Sequence, residues 1–256
     1  MFLTSSRSLH SPAFPTRAVA DCSHCPTAAA CLVGSCSEPD LAHWNDAAFS
    51  HIPLTTAGSC LFETGDVADA VFIVRAGCIK TFTVDTDGNE RVRGFHFPGS
   101  IIGLDTFGAS HRLSGAMSVS SSQVCRLPNA ELAELLKRSP NLLQRLLERT
   151  SRGLAEALAL SGDYTADQRV AAFLLQMQDN MPGAANGLRL PMTRRDIANY
   201  LRLATETVCR TLTRFENHRW LASEPKMIRL LDSAALWVLA EPVGLCLPRT
   251  SRRLAA

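Results

Sequence analysis

Met192-Thr193-Arg194-Arg195-Asp196-Ile197-Ala198-Asn199-Tyr200-Leu201-Arg202-Leu203-Ala204-Thr205-Glu206-Thr207-Val208-Cys209-Arg210-Thr211-Leu212 reads as two short helices broken by a turn. Thr193 followed three residues later by Asp196 is a helix start of the capping-box kind, because each side chain can bond the other residue's backbone N–H. The break falls at Arg202 to Ala204. Val208 and Leu212 then resume helical spacing, which gives a helix-turn-helix. Ala204 stands where a Ser or Thr would cap the second helix, and Thr205 is the expected substitute. Glu206, Cys209 and Arg210 fall at i, i+3 and i+4, so one face presents all three. Between Arg189 and Arg219 there are seven arginines and three acids, a local excess of +4 in a chain whose net charge is +2. Such local concentration is the electrostatic footprint of double-stranded DNA binding. Arg210 can contact a guanine through two hydrogen bonds, and Glu206 can accept from a cytosine or adenine amino group. Cys209, a weak hydrogen-bonder, can touch a thymine methyl and is an oxidisable thiol in the groove. Arg194, Arg195 and Arg202 suit phosphates, which position without specifying.

Beyond this motif, Trp220 and Met227 to Leu231 read as a small wing. Before it, Ala166 to Asp179 is amphipathic with Val170, Phe173, Leu174 and Met177 inward. Pro128 to Arg138 is helical, and after Pro140 a longer helix is expected to run to about Ser161. Its positions Leu143, Leu147, Thr150, Leu154, Ala157 and Ser161 alternate steps of four and three, the seam of a coiled coil. Leu142 and Leu146 form a neighbouring stripe. Two stripes imply one face for a packed domain and one for a second copy, hence a parallel homodimer helix.

From about Leu54 to Leu127 the pattern changes to short apolar runs broken by glycine. Ala70 to Val74, Cys78 to Val84 and Arg91 to Phe97 are the strongest, and Asp85 to Asn89 joins two of them as a hairpin. Short strands at this spacing predict an antiparallel roll of the sensor kind. The fold class expected is therefore α+β: an N-terminal antiparallel β-roll, a long dimerisation helix and a C-terminal winged helix-turn-helix. The expected boundaries are 1–20 disordered leader, 21–37 cysteine segment, 38–138 roll, 139–162 helix, 163–240 winged helix-turn-helix and 241–256 tail.

The leader carries Cys22, Cys25 and Cys31 at C-x2-C-x5-C spacing, with Cys36 beyond. A loop has no core in which to bury thiols, and nine cysteines in a chain without a secretory signal or an 18-residue apolar run point to the cytoplasm rather than to a disulfide framework. Metal or iron–sulfur ligation is the better use for them. Cys60, Cys78 and Cys246 read as small hydrophobes or bystanders. Zinc on Cys22, His24, Cys25 and Cys31 is an alternative; it would be redox-silent and would leave Cys125 unused.

Taken together these residues resemble the Crp/Fnr superfamily of transcription regulators, specifically its Fnr-type oxygen-sensing branch. Cys22, Cys25 and Cys31 match that branch's cysteine motif, Ser122 to Pro128 resembles the segment carrying the distant ligand Cys125, and Met192 to Phe215 resembles its helix-turn-helix. The resemblance implies a 4Fe-4S cluster on Cys22, Cys25, Cys31 and Cys125. It implies DNA-binding contacts from Arg195, Thr205, Glu206, Cys209 and Arg210 to palindromic TTGAT-type sites, and RNA polymerase as a partner of an activator working under low oxygen. Nitric oxide or general oxidation could act on the same cysteines. Cys209 departs from the family's Glu-x-x-Ser-Arg, and Ala157 replaces a frequent acidic seam residue, so the dimer should depend less on the cluster. Members that bind cyclic nucleotides carry Gly-Glu-Leu and a later Arg-Ser or Arg-Thr. Gly103-Leu104-Asp105 and Leu113-Ser114-Gly115 stand there instead, so no arginine is expected at the phosphate and no cyclic nucleotide is expected to bind. No membrane partner is expected. The reading is a regulator, not an enzyme; an iron–sulfur electron carrier is disfavoured by the basic helix-turn-helix.

Overall fold

The computed structural model describes residues 25–33, 50–159, 161–181, 184, 187–224 and 227–243. Cys22, His24, Cys36, Cys246, the leader 1–20 and most of the tail lie outside the described residues. Among the described residues eight strands come first: β1 (Ser50–Leu54), β2 (Cys60–Phe62), β3 (Ala70–Ala76), β4 (Ile79–Val84), β5 (Glu90–His96), β6 (Ile101–Ile102), β7 (Gly115–Ser118) and β8 (Ser122–Pro128). They form two four-stranded antiparallel sheets, ordered β1-β8-β3-β6 and β2-β7-β4-β5. The expected hairpin is present: β4 pairs with β5, and Asp85 Oδ1 accepts from the N–H groups of Asp87 and Asn89.

The run Ala70 to Val74 is apolar throughout because both faces of β3 are covered. Phe72 and Val74 face into the roll with Ile52, Leu54, Phe62, Ile79 and Val124. Val71 and Ile73 face outward and pack with Leu127 against Leu132 of α1 (Asn129–Arg138) and Val33 of the cysteine loop. Leu142 and Leu146 of α2 (Pro140–Ala159) close the same layer with Leu135 and Leu32. Burying two such leucines contributes about 3–6 kcal/mol, enough to fix the long helix to the roll. The helix ends at Ala159, so Ser161 lies just past it and its hydroxyl donates to Ala157 O at 3.2 Å.

The C-terminal third holds α3 (Ala166–Asn180), α4 (Arg194–Leu201), α5 (Thr205–Asn217), the hairpin β9 (Leu221–Glu224) with β10 (Met227–Leu230), and α6 (Ser233–Ala240). Val170, Phe173, Leu174 and Met177 are buried, as their spacing predicts. The roll and this domain share one core: Cys78, Val92 and Phe97 join the cluster of α3 to α6. Polar contacts fix the docking. Lys80 Nζ of β4 reaches Asp196 Oδ1 at 2.9 Å and Glu90 Oε1 at 2.5 Å. Asn199 of α4 accepts from Val92 N at 2.7 Å and donates to the Glu90 carbonyl, so it pairs with the β5 backbone in both senses. Phe95 packs on Tyr200 and Phe173, with ring centroids 5.4 and 6.3 Å away.

Candidate functional site

The helix-turn-helix is built locally. Thr193 caps α4 through the reciprocal bonds expected: Asp196 N donates to Thr193 Oγ1 at 3.1 Å, and Thr193 N donates to Asp196 Oδ2 at 3.1 Å. Burial raises the Asp196 pKa, but bonds from Thr193 and Lys80 outweigh it and hold the carboxyl below its usual range. The same side chain thus starts the first helix and ties it to the sensor roll. Arg202 ends α4 in the left-handed region at φ 56°, and Leu203 N donates back to Ala198 O at 2.9 Å, the helix-terminating pattern that lets α5 leave at an angle. The cap expected from Thr205 is not there. Ala204 is the N-cap without a side-chain bond, and Thr205 already has helical position, so its hydroxyl sits one residue too late.

On α5, Val208, Thr211, Leu212 and Phe215 are buried, which leaves Thr205, Glu206, Cys209 and Arg210 exposed together. Glu206 and Arg210 form an i, i+4 ion pair at 2.5 Å with both side chains more than 70% exposed. A pair that open to water contributes little to stability, so both groups remain available to a ligand. Arg195 and Arg202 are exposed on the same domain, and Arg194 is half-buried.

The second candidate site lies on the outer face of the β1-β8-β3-β6 sheet. Residues Cys25 to Val33 form a series of tight turns, with Ala28 N donating to Cys25 O and Cys31 N to Thr27 O. Leu32 and Val33 are each 1% exposed and anchor the loop in the outer layer. Cys125 pairs in the ladder with Ile73 and His51, and Cys125 and Cys31, both half-buried, pack against the same apolar cluster. Cys25 is half-buried nearby in sequence and its thiol lies 3.1 Å from Thr27 Oγ1. Among the described residues no three His, Cys, Asp or Glu side chains converge as a metal-sized group, and the proposed ligand Cys22 is outside them. The donor chemistry nevertheless fits thiolate ligation: two thiols far apart in sequence meet one cluster at the rim of a loop that carries a third. Cys60 is exposed and Cys78 buried to 1%, where burial pushes its thiol up to about 12, so neither is a ligand candidate.

Sequence reasoning missed one residue here. Arg149 of α2 donates to Ala30 O at 2.6 Å and to Gly99 O at 2.8 Å. Gly99 has φ +92°, and a Cβ there would stand 2.7 Å from Ala30 O, so glycine lets the loop sit flat on the roll. An arginine off the seam of a helix carries no sequence signal of this role, because its partners are backbone carbonyls.

The expected seam is solvent-facing in the single chain: Leu143, Leu147 and Leu154 are 41%, 59% and 60% exposed, and Thr150 and Ala157 are exposed beside them. Leu158, which the heptad register omits, is 65% exposed on the same stripe. Glu156 turns away from it toward Gln176 of α3. Burial there pushes its carboxyl up, against Arg152 and Gln176.

A family model for a cyclic nucleotide-binding domain matches residues 55–139, and one for a Crp-like helix-turn-helix domain matches residues 168–239. The chain is 36% identical over 227 residues to the transcriptional activator protein FnrA of Stutzerimonas stutzeri, covering 86% of this chain and 93% of that one. It is 32% identical over 225 residues to the fumarate and nitrate reduction regulatory protein of Escherichia coli K12, covering 86% and 90%. The structure of FixK2 from Bradyrhizobium japonicum superposes with a TM-score of 0.67 at 29% identity, over 75% of this chain and 96% of that one. A sensor roll and a winged helix-turn-helix joined by a long helix define a DNA-binding transcription regulator. The chain belongs to the Crp/Fnr family, whose members are regulators and not enzymes. Among the described residues no helix is long and apolar enough to cross a membrane.

Proposed function

We propose that the chain is an oxygen-responsive activator of the Fnr type, holding a 4Fe-4S cluster on Cys22, Cys25, Cys31 and Cys125 and binding palindromic TTGAT-type sites as a homodimer. The observation that carries this reading is the meeting of Cys31 and Cys125 on one apolar cluster, under a loop that also touches α2. A bound cluster supplies thiolate-held iron that oxygen or nitric oxide attacks. The chain's own residues supply the rest. With the four cysteines tied together, Ala30, Leu32 and Val33 stay seated on Arg149, α1 and α2. With them released, the loop relies on those contacts alone, and α2 is presented less firmly to a second copy. In the groove, Arg210 and Glu206 read base edges, Cys209 and Thr205 contact the neighbouring bases or backbone, and Arg195 holds a phosphate. Recruitment of RNA polymerase follows from the activator role. Protein purified without oxygen is expected to be coloured, with iron and acid-labile sulfide in equal amounts that fall on exposure to air. A colourless, zinc-containing protein would contradict the proposal.

Two consequences are specific to this chain. Leu143, Leu147, Leu154 and Leu158 give the seam four exposed leucines, and Ala157 adds no charge to it. Sedimentation of the cluster-free protein should therefore show a dimer at micromolar concentration; a clean monomer there counts against this seam. Arg149→Gln removes the charge that bridges loop and helix. Loss of visible absorbance in air should then accelerate on the order of tenfold, the scale at which outer-shell partners act on metal sites. Arg149→Lys should recover part of the difference, and equal bleaching rates in all three proteins would remove Arg149 from the switch.

A further inference from the structure

The interior of the roll holds a buried arginine, Arg112, outside both candidate sites. In the segment His111-Arg112-Leu113-Ser114 burial runs opposite to polarity: Leu113 is 65% exposed and Arg112 only 3%. Backbone bonds set this orientation. Arg112 N donates to Asp66 O at 2.8 Å, Gly65 N donates to Arg112 O at 2.9 Å, and Val67 bridges His111. The Arg112 side chain is thereby turned between the two sheets.

Its guanidinium stands 4.5 Å from the centroid of Phe62 and 5.5 Å from that of Phe72, two rings that stack on each other. Nη1 donates to Thr106 Oγ1 at 3.1 Å, and Nη2 donates to the Ala70 carbonyl. Gly103 leaves the space, since a Cβ there would lie 2.4 Å from Nη1. Burial disfavours its charge, the nearby acids Asp69, Asp105 and Asp66 offset part of that cost, and Arg126 opposes them. Nε is buried without a partner among the described residues, so the fit was made for the two terminal nitrogens. Two aromatic faces and two oxygen acceptors together select a planar cation.

We infer that the interior of this roll is a guanidinium-binding site occupied by the chain's own Arg112, which links the 103–112 segment to the start of β3 in the way a bound ligand would. A cyclic phosphate entering the same space would meet two ring faces and a guanidinium already engaged. This assignment does not depend on the cluster.

Full-length Arg112→Ala tests it. Truncating a buried, bonded arginine should lower Tm by roughly 5–15 °C. Guanidinium chloride at concentrations on the order of tens of millimolar should raise the variant's Tm saturably and leave the wild type's unraised. Sodium chloride at equal ionic strength and urea should not raise either. A folded variant with no saturable response to guanidinium overturns the assignment. If the variant does not fold, arginine-labelled wild-type protein decides by NMR. One Nε–H signal should be shifted by ring currents, exchange slowly with solvent, move in Phe62→Leu and ignore excess cyclic AMP. Absence of such a signal, or its saturable displacement by cyclic AMP, overturns the assignment equally.

Discussion

Cys125→Ser, purified without oxygen, retains less than about a tenth of the wild-type iron and sulfide, because losing even an outer-shell partner costs metal sites about 10–100-fold and Cys125 is a proposed direct ligand. It is the one proposed ligand that the roll itself supplies, from β8 between β1 and β3. The other three belong to the leader, so without Cys125 nothing in the ligand set ties leader to roll. The side chain is half-buried and the substitution nearly isosteric, so the fold should survive with a Tm within about 4 °C of wild type, the shift expected for about 1 kcal/mol in a chain this size. Iron and sulfide analysis beside thermal melting separates the two outcomes. A variant with full cluster content would remove Cys125 from the ligand set and return attention to zinc on the leader alone. A variant that loses both cluster and fold would make the site structural instead of switchable.

Arg210→Ala should cause the largest loss in DNA binding. A good two-bond contact to guanine is worth about 1–3 kcal/mol, and a symmetric dimer makes it in both half-sites, so the loss should be roughly thirtyfold to twenty-thousandfold for a palindromic site. Glu206, its partner across the exposed 2.5 Å pair, should behave differently. Glu206→Ala frees Arg210 in the unbound protein, so part of the lost base contact is offset. Fluorescence anisotropy against the palindrome and a site altered at the guanine distinguishes a base reader from a phosphate binder. Arg210→Ala should bind both sites with nearly equal affinity. If it loses affinity for both in the same proportion, Arg210 holds a phosphate and specificity lies elsewhere.

The elements whose apolar spacing is regular were legible in the sequence. Thr193 with Asp196, Val208 with Leu212, and the paired stripes of α2 each state a local rule that the packing obeys, and Leu142 and Leu146 are buried while Leu143 and Leu147 are exposed. The two-faced burial of β3 was legible as a continuous apolar run, though not which layer would cover each face. Three features were not legible, for one shared reason: their partners are distant in sequence and are backbone atoms or ring faces. Arg149 holds carbonyls of Ala30 and Gly99. Asn199 pairs with the β5 backbone, and Arg112 fills the interior one residue before Leu113-Ser114, the place where no arginine was expected. The Thr205 cap failed because position within a turn, not residue type, decides which hydroxyl reaches the first free N–H groups. Lys80 shows the same limit: its pairing with Asp196 joins two domains whose separate patterns give no register for each other.

Control of DNA binding by the cysteine loop is tested by affinity for a TTGAT-type palindrome, measured on one anaerobic preparation before and after air exposure. At least about a tenfold loss, equal to about 1.4 kcal/mol, is expected as absorbance bleaches. Because the seam leucines persist, residual binding above that of Arg210→Ala should remain. An affinity that stays constant while the colour disappears would contradict the claim.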